Sequence, residues 1–374
     1  EDALTDTPVR ERGQWTGDMM ASGIENIAVL FGEMSLPMRS IIQAYEMRNP
    51  EGLVPSQYPG HIDVIPMYSL MWITGSLRYY EITGDDATIR YIYPGFLQTV
   101  DAFMKRLSKK GVLKIKGTMD FIDWGYHHIF KGLEDSDNEI NITLNIYLIG
   151  TLEILIKYDL KFADEKTKNV HANYITRLKN IMNSYFYNKN SLIKKYEYTD
   201  KTYETEGFNS NVTALYLGLI EDKNKRNVID YIKKFILGSY PANPNATMMD
   251  DPNTSYDDTI TPYYAHFTMA ALIENGEIDF VLDQYKTFWG WMLDQGMTTA
   301  AEVFDVRWSH CHAWSACPAW QLSRYVLGIR PENGRIIFRP FACKLQKADG
   351  YFPDAGVHVE YNRKKNISEY ILTH

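Results

Sequence analysis

Apolar residues recur at helical spacing through most of this chain. Between Asp18 and Phe31 they fall at Met20, Ile24, Ile27, Leu30 and Phe31, the stripe of one helix face. A second helix is predicted over 65–82, ended at Gly84 and followed by a capping Asp85. The same spacing predicts helices over 89–107, 141–158, 165–187, 209–220, 225–237, 263–274, 278–292 and 312–327. Turns as short as Glu274-Asn275-Gly276-Glu277 and Glu221-Asp222-Lys223 make consecutive helices antiparallel neighbours. Roughly ten helices in such pairs build either an α-solenoid or a closed double ring. No fixed-period repeat is present, which disfavours the solenoid. Beyond Leu327 the pattern changes to strand-like alternation, in Arg335-Ile336-Ile337-Phe338-Arg339-Pro340 and Val357-His358-Val359-Glu360-Tyr361. The expected organisation is a helical domain over 1–327 and a short β-rich segment over 328–374.

Composition narrows the classes of function. The chain has 374 residues and a net charge of −8, which argues against nucleic-acid binding, since phosphates need a basic face. An apolar content of 45% is too high for a disordered chain. No apolar run approaches the ~20 residues of a membrane helix, so no membrane partner is expected. The chain opens on Glu1 and Asp2 without the pattern of a signal peptide. Three cysteines, Cys311, Cys317 and Cys343, make no disulfide framework and lean towards a reducing, cytoplasmic setting. The Asn141-Ile-Thr143 and Asn211-Val-Thr213 sequons are what an Asn-rich chain produces by chance. The eight Trp residues are unevenly spread: none falls between Trp124 and Trp289.

Four segments carry candidate chemistry. Asp6-Thr7-Pro8-Val9-Arg10-Glu11-Arg12-Gly13-Gln14-Trp15-Thr16-Gly17-Asp18 crowds carboxylates, guanidiniums and an indole ahead of a helix. It reads either as a solvated loop ending in a capping Asp18 or as a sugar site, with the indole as a flat face and carboxylates for hydroxyls. Gly296-Met297-Thr298-Thr299-Ala300-Ala301-Glu302 places a carboxylate among small apolar residues, or simply in a solvent-facing loop. Ser309-His310-Cys311-His312 raises a metal question, but no paired Cys-x-x-Cys accompanies it. A hydroxyl-binding His312, or a helix start among buried Trp residues, suits the segment better, and no metal is expected. Asp123-Trp124 sets a carboxylate beside an indole, as a ligand pair or an Asp cap. Signatures for dinucleotides, phosphate loops, serine hydrolases and zincins are missing. Separated carboxylates amid Trp, Tyr and His fit glycoside hydrolysis best, a reaction needing no cofactor.

In this order the motifs resemble the catalytic domain of the bacterial α-L-rhamnosidases, the inverting enzymes of glycoside hydrolase family 78. The Asp-x-Pro-x-Arg-Glu-Arg-x-x-Trp-x-Gly-Asp loop is present from Asp6 to Asp18. The later Gly-x-Thr-Thr-x-Trp-Glu loop reads Gly296 to Glu302, with Ala301 in place of Trp. A Ser-His-x-x-Ser-like segment leads from Ser309 to Gly328-Ile329-Arg330-Pro331. The resemblance implies an (α/α)6 barrel, a six-hairpin toroid within the all-α class, trailed by short strands. It implies Glu11 as general acid and Glu302 as general base, with Asp6, Arg10, Asp18 and Asp123 holding hydroxyls or supporting Glu11. Trp15 and Trp124 would contact the ring and its C5 methyl group, and His312 would hold a hydroxyl. The implied substrate is a rhamnose-containing glycoside or polysaccharide; oligomeric state is left open. Two departures are notable. The family sets β-sandwich domains and a first barrel helix ahead of the acid loop, where this chain begins, so some other segment must cover that side of the barrel. Ala301 would widen the pocket, alter the preferred sugar or end activity. Other readings are a glycosidase of different sugar preference on the same barrel, or an inactive carbohydrate-binding homologue or fragment. An isoprenoid-processing toroid would need an Asp-rich metal motif, for which only the isolated pairs Asp250-Asp251 and Asp257-Asp258 stand.

Overall fold

The computed structural model describes residues 3–60, 63–114, 121–125, 139–198, 204–249, 259–353, 355–364 and 367–373. The acidic pairs at 250–251 and 257–258 lie outside the described residues.

Burial sorts the helices into two layers. Helix α3 (Pro66–Thr83) buries 14 of its 18 residues, and α5 (Ile142–Leu155) buries 12 of 14. α9 (Pro262–Glu274) buries 12 of 13. A helix apolar on every side must be surrounded by others. With α1 (16–30), α7 (Phe208–Tyr216) and α11 (317–326) these form an inner ring in which each packs on the next and α11 returns to α1. The remaining helices are amphipathic. α6 begins with Glu165–Ile181, which buries only His171 and Leu178, and continues through a π turn at Met182–Phe186. α8 (Asp222–Gly238) buries the single stripe Val228, Ile229, Ile232 and Ile236. With α2 (Ser35–Glu46), α4 (Asp86–Lys105) and α10 (Ile278–Asp294) they form the outer layer, each paired with an inner helix. The chain is therefore a closed double ring of antiparallel helix pairs.

Local signals set the boundaries. Pro66 and Pro262 open their helices, where the missing N–H costs nothing. Asp85, Asn141, Asp164 and Thr261 cap theirs by accepting from a backbone N–H three residues on. Gly84, at φ 70°, ends α3 in the left-handed conformation. Helix α2 is not among the helices predicted above; its Pro37 falls in the first turn, where proline is tolerated.

Among the described residues, two strand pairs and a three-stranded sheet complete the fold. β1 (Glu139–Asn141) pairs antiparallel with β2 (Tyr196–Tyr198). The hairpin of β3 (Ile329–Glu332) and β4 (Arg335–Phe338) packs against α3 through Gly334 N–H to the Glu81 carbonyl, and Arg78 donates to the Pro331 carbonyl. In the last sheet β6 (Val357–Lys364) lies between β5 (Lys347–Phe352) and β7 (Ile367–Thr373). β5 lies against α1 and α11 and covers the outside of the ring where it closes. No described helix is long and apolar enough to cross a membrane.

Candidate active site

The inner helices start at one mouth of the ring, and most of the candidate residues gather there. Asp18 opens α1, Tyr68 lies in the first turn of α3, and His312 precedes a 3-10 turn at Ala313–Ser315 that leads into α11. Two loops meet between these ends. Loop 5–15 folds on itself: Asp6 N–H donates to the Gly13 carbonyl, and Gly13 N–H returns to Asp6 Oδ1, both at 2.9 Å. Arg12 takes the left-handed φ of 53° that this tight return requires. Loop 297–312 is a narrow hairpin, with Ala301 bridged to His310 and Glu302 N–H donating to the Ser309 carbonyl at 2.8 Å. Thr7 donates to the His310 carbonyl and Ala313 N–H to the Asp6 carbonyl, so the hairpin and the first loop are stitched together.

Glu11, Trp15, Asp18, Trp124, Glu302 and His312 line one cavity of about 100 Å³, together with Ile65, Tyr68, Phe121 and Trp314. At ~10–15 Å³ per water, the space is that of about one sugar ring. Gly17 is obligatory beneath it, because a Cβ there would lie 2.4 Å from the Tyr68 ring.

The two glutamates differ in environment. Glu302 is buried to 1% exposure and is held by donors: Arg10 Nη2 at 2.7 and 2.6 Å to its two oxygens, and Trp124 Nε1 at 3.1 Å to Oε1. That donor set suits an anionic carboxylate. Glu11 is an exposed residue whose side chain retains 30% of its accessible surface, and its carboxyl is pushed up to about 7. Desolvation drives the rise, Arg10 opposes it, and a hydrogen bond to Asp6 plus the nearby Asp6 and Glu302 charges add to it. Arg10 spans the pair, with Nη1 3.0 Å from Glu11 Oε1 while its Nε donates to Ser309 Oγ at 2.8 Å. One guanidinium bridging both places their nearest oxygens within about 8 Å of each other. Its carbon sits 5.6 Å from the Trp308 ring centroid.

The other expected residues divide between cavity wall and support. His312 Nδ1 lies 3.1 Å from Asp18 Oδ1, and its Nε2 lies 3.7 Å from Asp6 Oδ2. Burial favours neutral imidazole, but the surrounding carboxylates outweigh it and hold His312 above its ordinary pKa. Asp6 and Arg10 stand behind the lining. Asp123 is not in the wall: Thr261 Oγ1 donates to both its oxygens at 2.8 Å, tying its loop to the cap of α9. Burial pushes the Asp123 carboxyl up to about 7 against those donors. Ala301 is fully buried in the core and does not line the cavity. Cys311 is exposed while Cys317 and Cys343 are buried. Tyr68, Phe121 and Trp314 line the site and Ser309 braces Arg10, and none of the four is among the site residues expected above. Tyr68 looks like any core aromatic of a buried helix, and only its place in the first turn marks it.

A closed ring of helix pairs with two carboxyl groups in one mouth is the architecture of a six-hairpin glycosidase. Residues 1–237 match the model of the bacterial alpha-L-rhamnosidase 6 hairpin glycosidase domain, and the chain belongs to that family. The Glu302 loop lies beyond the matched span. No curated protein matches in sequence. Among solved structures, the family 78 rhamnosidase of Bacillus sp. GL1 superposes with a TM-score of 0.83 at 21% identity, over 100% of this chain and 39% of that one. The alpha-L-rhamnosidase of Dictyoglumus thermophilum gives 0.73 at 20%, over 100% and 41%. A Klebsiella oxytoca rhamnosidase with rhamnose bound gives 0.67 at 22%, over 86% and 60%. The chain thus spans between two and three fifths of these relatives' length, and at such identities the likeness is one of fold.

Proposed function

We propose that this chain is the catalytic domain of an inverting α-L-rhamnosidase, releasing terminal L-rhamnose from a glycoside or polysaccharide, with Glu11 as general acid and Glu302 as general base. The observation that carries the reading is the pairing of these two carboxyl groups, from loops at opposite ends of the sequence, in one sugar-sized cavity. A carboxyl group at about 7 is still substantially protonated near neutrality and can give its proton to the glycosidic oxygen as the bond breaks. Glu302 Oε2 receives only Arg10 among the described residues and keeps a lone pair for the proton of an attacking water. The Arg10 bridge caps the span at about 8 Å, a limit that includes both the ~6.5–9.5 Å of an inverting pair and the ~5–5.5 Å of a retaining one, so inversion is carried by the family resemblance and is decided by the anomer released. The Trp15, Trp124 and Tyr68 rings supply apolar surface for the sugar's C–H faces and its methyl group. Asp18 and His312 offer a carboxyl group and an imidazole to hydroxyls. The rhamnose-bound Klebsiella oxytoca relative supports the choice of sugar.

Hydrolysis of aryl and alkyl α-L-rhamnosides tests the roles. Glu302→Gln is expected to lower kcat on both by about 10²–10⁴-fold, the worth of a positioned base. Glu11→Gln should be comparably impaired on the alkyl substrate but far less on a nitrophenyl one, whose leaving group needs little protonation. Equal losses for both variants on both substrates would contradict the assignment. Turnover confined to other aryl glycosides would instead identify a different sugar.

A further inference from the structure

The ring has a second mouth, where the inner helices end, and it holds a larger cavity than the first. Its volume is about 160 Å³, against about 100 Å³ at the catalytic mouth, and the two share no lining residue. At ~10–15 Å³ per water this is room for roughly 11–16 waters or one monosaccharide. The apolar wall comes from Ile24, Leu77, Leu217 and Phe267, and the polar wall from Thr74, Tyr216, His266 and two satisfied charge systems.

Those charges are already paired. Arg78 donates through Nε and Nη2 to the two oxygens of Glu25. Glu81 accepts from the Tyr158 hydroxyl and from Asn333 N–H of the β3–β4 turn. An ionic ligand would find no unpaired partner among these groups. His266 differs: it is 4% exposed, lines the cavity, and its Nδ1 has no hydrogen-bond partner. Burial pulls its pKa down to about 4, so at neutral pH the ring is uncharged, with one nitrogen donating and one accepting. A buried polar atom left unmatched is costly, and a ligand hydroxyl relieves that cost. Thr74 Oγ1 and Tyr147 Oη, 2.9 Å apart, lie on the neighbouring helices α3 and α5, and Thr74 Oγ1 also donates to the Met71 carbonyl at 3.2 Å.

We propose that this rear cavity is a second ligand site, for one neutral monosaccharide-sized polyol held by His266, Tyr216 and the Thr74–Tyr147 pair against the Phe267 and Leu217 faces. It does not require the chemistry assigned to the front cavity, and the two mouths carry separate histidine reporters, His266 and His312.

The experiment is NMR of the full chain with isotope-labelled histidine, titrated in turn with L-rhamnose, D-glucose, D-galactose and, as an ionic control, sulfate. At least one neutral sugar should shift the His266 ring signals saturably. Tyr216→Phe, which keeps the ring and removes the hydroxyl, should weaken that response about fivefold or more while leaving the His312 response unchanged. Leu217→Trp, which fills the space, should abolish it. A sugar response confined to His312, no His266 response up to the solubility of each sugar, or a response to sulfate alone would overturn the proposal and leave a water-filled lumen.

Discussion

Arg10 touches both carboxyl groups of the site, and its effects on them can be separated by pH. It opposes the rise of the Glu11 pKa, which nevertheless reaches about 7. A general acid works only while protonated, so kcat/KM is expected to fall as pH rises through about 7. Arg10→Gln removes the lowering charge, so this limb should move to higher pH, while the maximal rate falls because Glu302 loses its clamp. A kcat/KM profile of both proteins checks this, and a limb that stays in place or moves to lower pH counts against Glu11 as the acid. At this scale the sequence was partly legible. Asp6, Arg10, Glu11 and Asp18 lie within one stretch, and their crowding marks them. Asp123 is expected to hold a hydroxyl or support Glu11; its carboxyl group accepts from Thr261, 138 positions away, and no local pattern reveals such a partner.

Helix texture was the most legible feature, because burial leaves its mark on whole segments. The run from Ile142 to Leu155 is apolar on all sides and proves to be inner, whereas 165–181 carries one thin stripe and proves to be outer. Helix α2 escaped because Pro37 marks a start as readily as a break. The pairing of helices through buried polar groups was not legible at all. Asp159, 0% exposed, accepts from Tyr93 Oη at 2.7 Å and lies 2.8 Å from His171 Nδ1, tying α4 to α6 outside the ring. Asp159→Ala strands both partners in the interior and is expected to cost roughly 2–4 kcal/mol of stability by denaturant unfolding. Because this junction lies outside both the catalytic cavity and its supporting contacts, kcat should stay within about twofold of wild type.

Over the whole molecule, the site exists because the ring closes. Arg10 and Glu302 are 292 positions apart, yet they share hydrogen bonds because α11 returns to α1. The uneven Trp distribution reflects this in part. Trp124 and Trp308 meet at 5.3 Å beside Glu302, and Trp15 and Trp314 line the same cavity. Trp72, by contrast, packs on Phe96 and donates to the Ile41 carbonyl as core between α2 and α3. The rear cavity left no trace in the sequence, since its walls come from single residues spread over the inner helices. The most direct test of an acid and a base meeting across the closure is the anomer first released from an aryl α-L-rhamnoside, followed by NMR before mutarotation. The inverting proposal predicts β-L-rhamnose first, and loss of that signal in Glu302→Gln. Release of the α-anomer first, or a wild-type rate in Glu302→Gln, would contradict it.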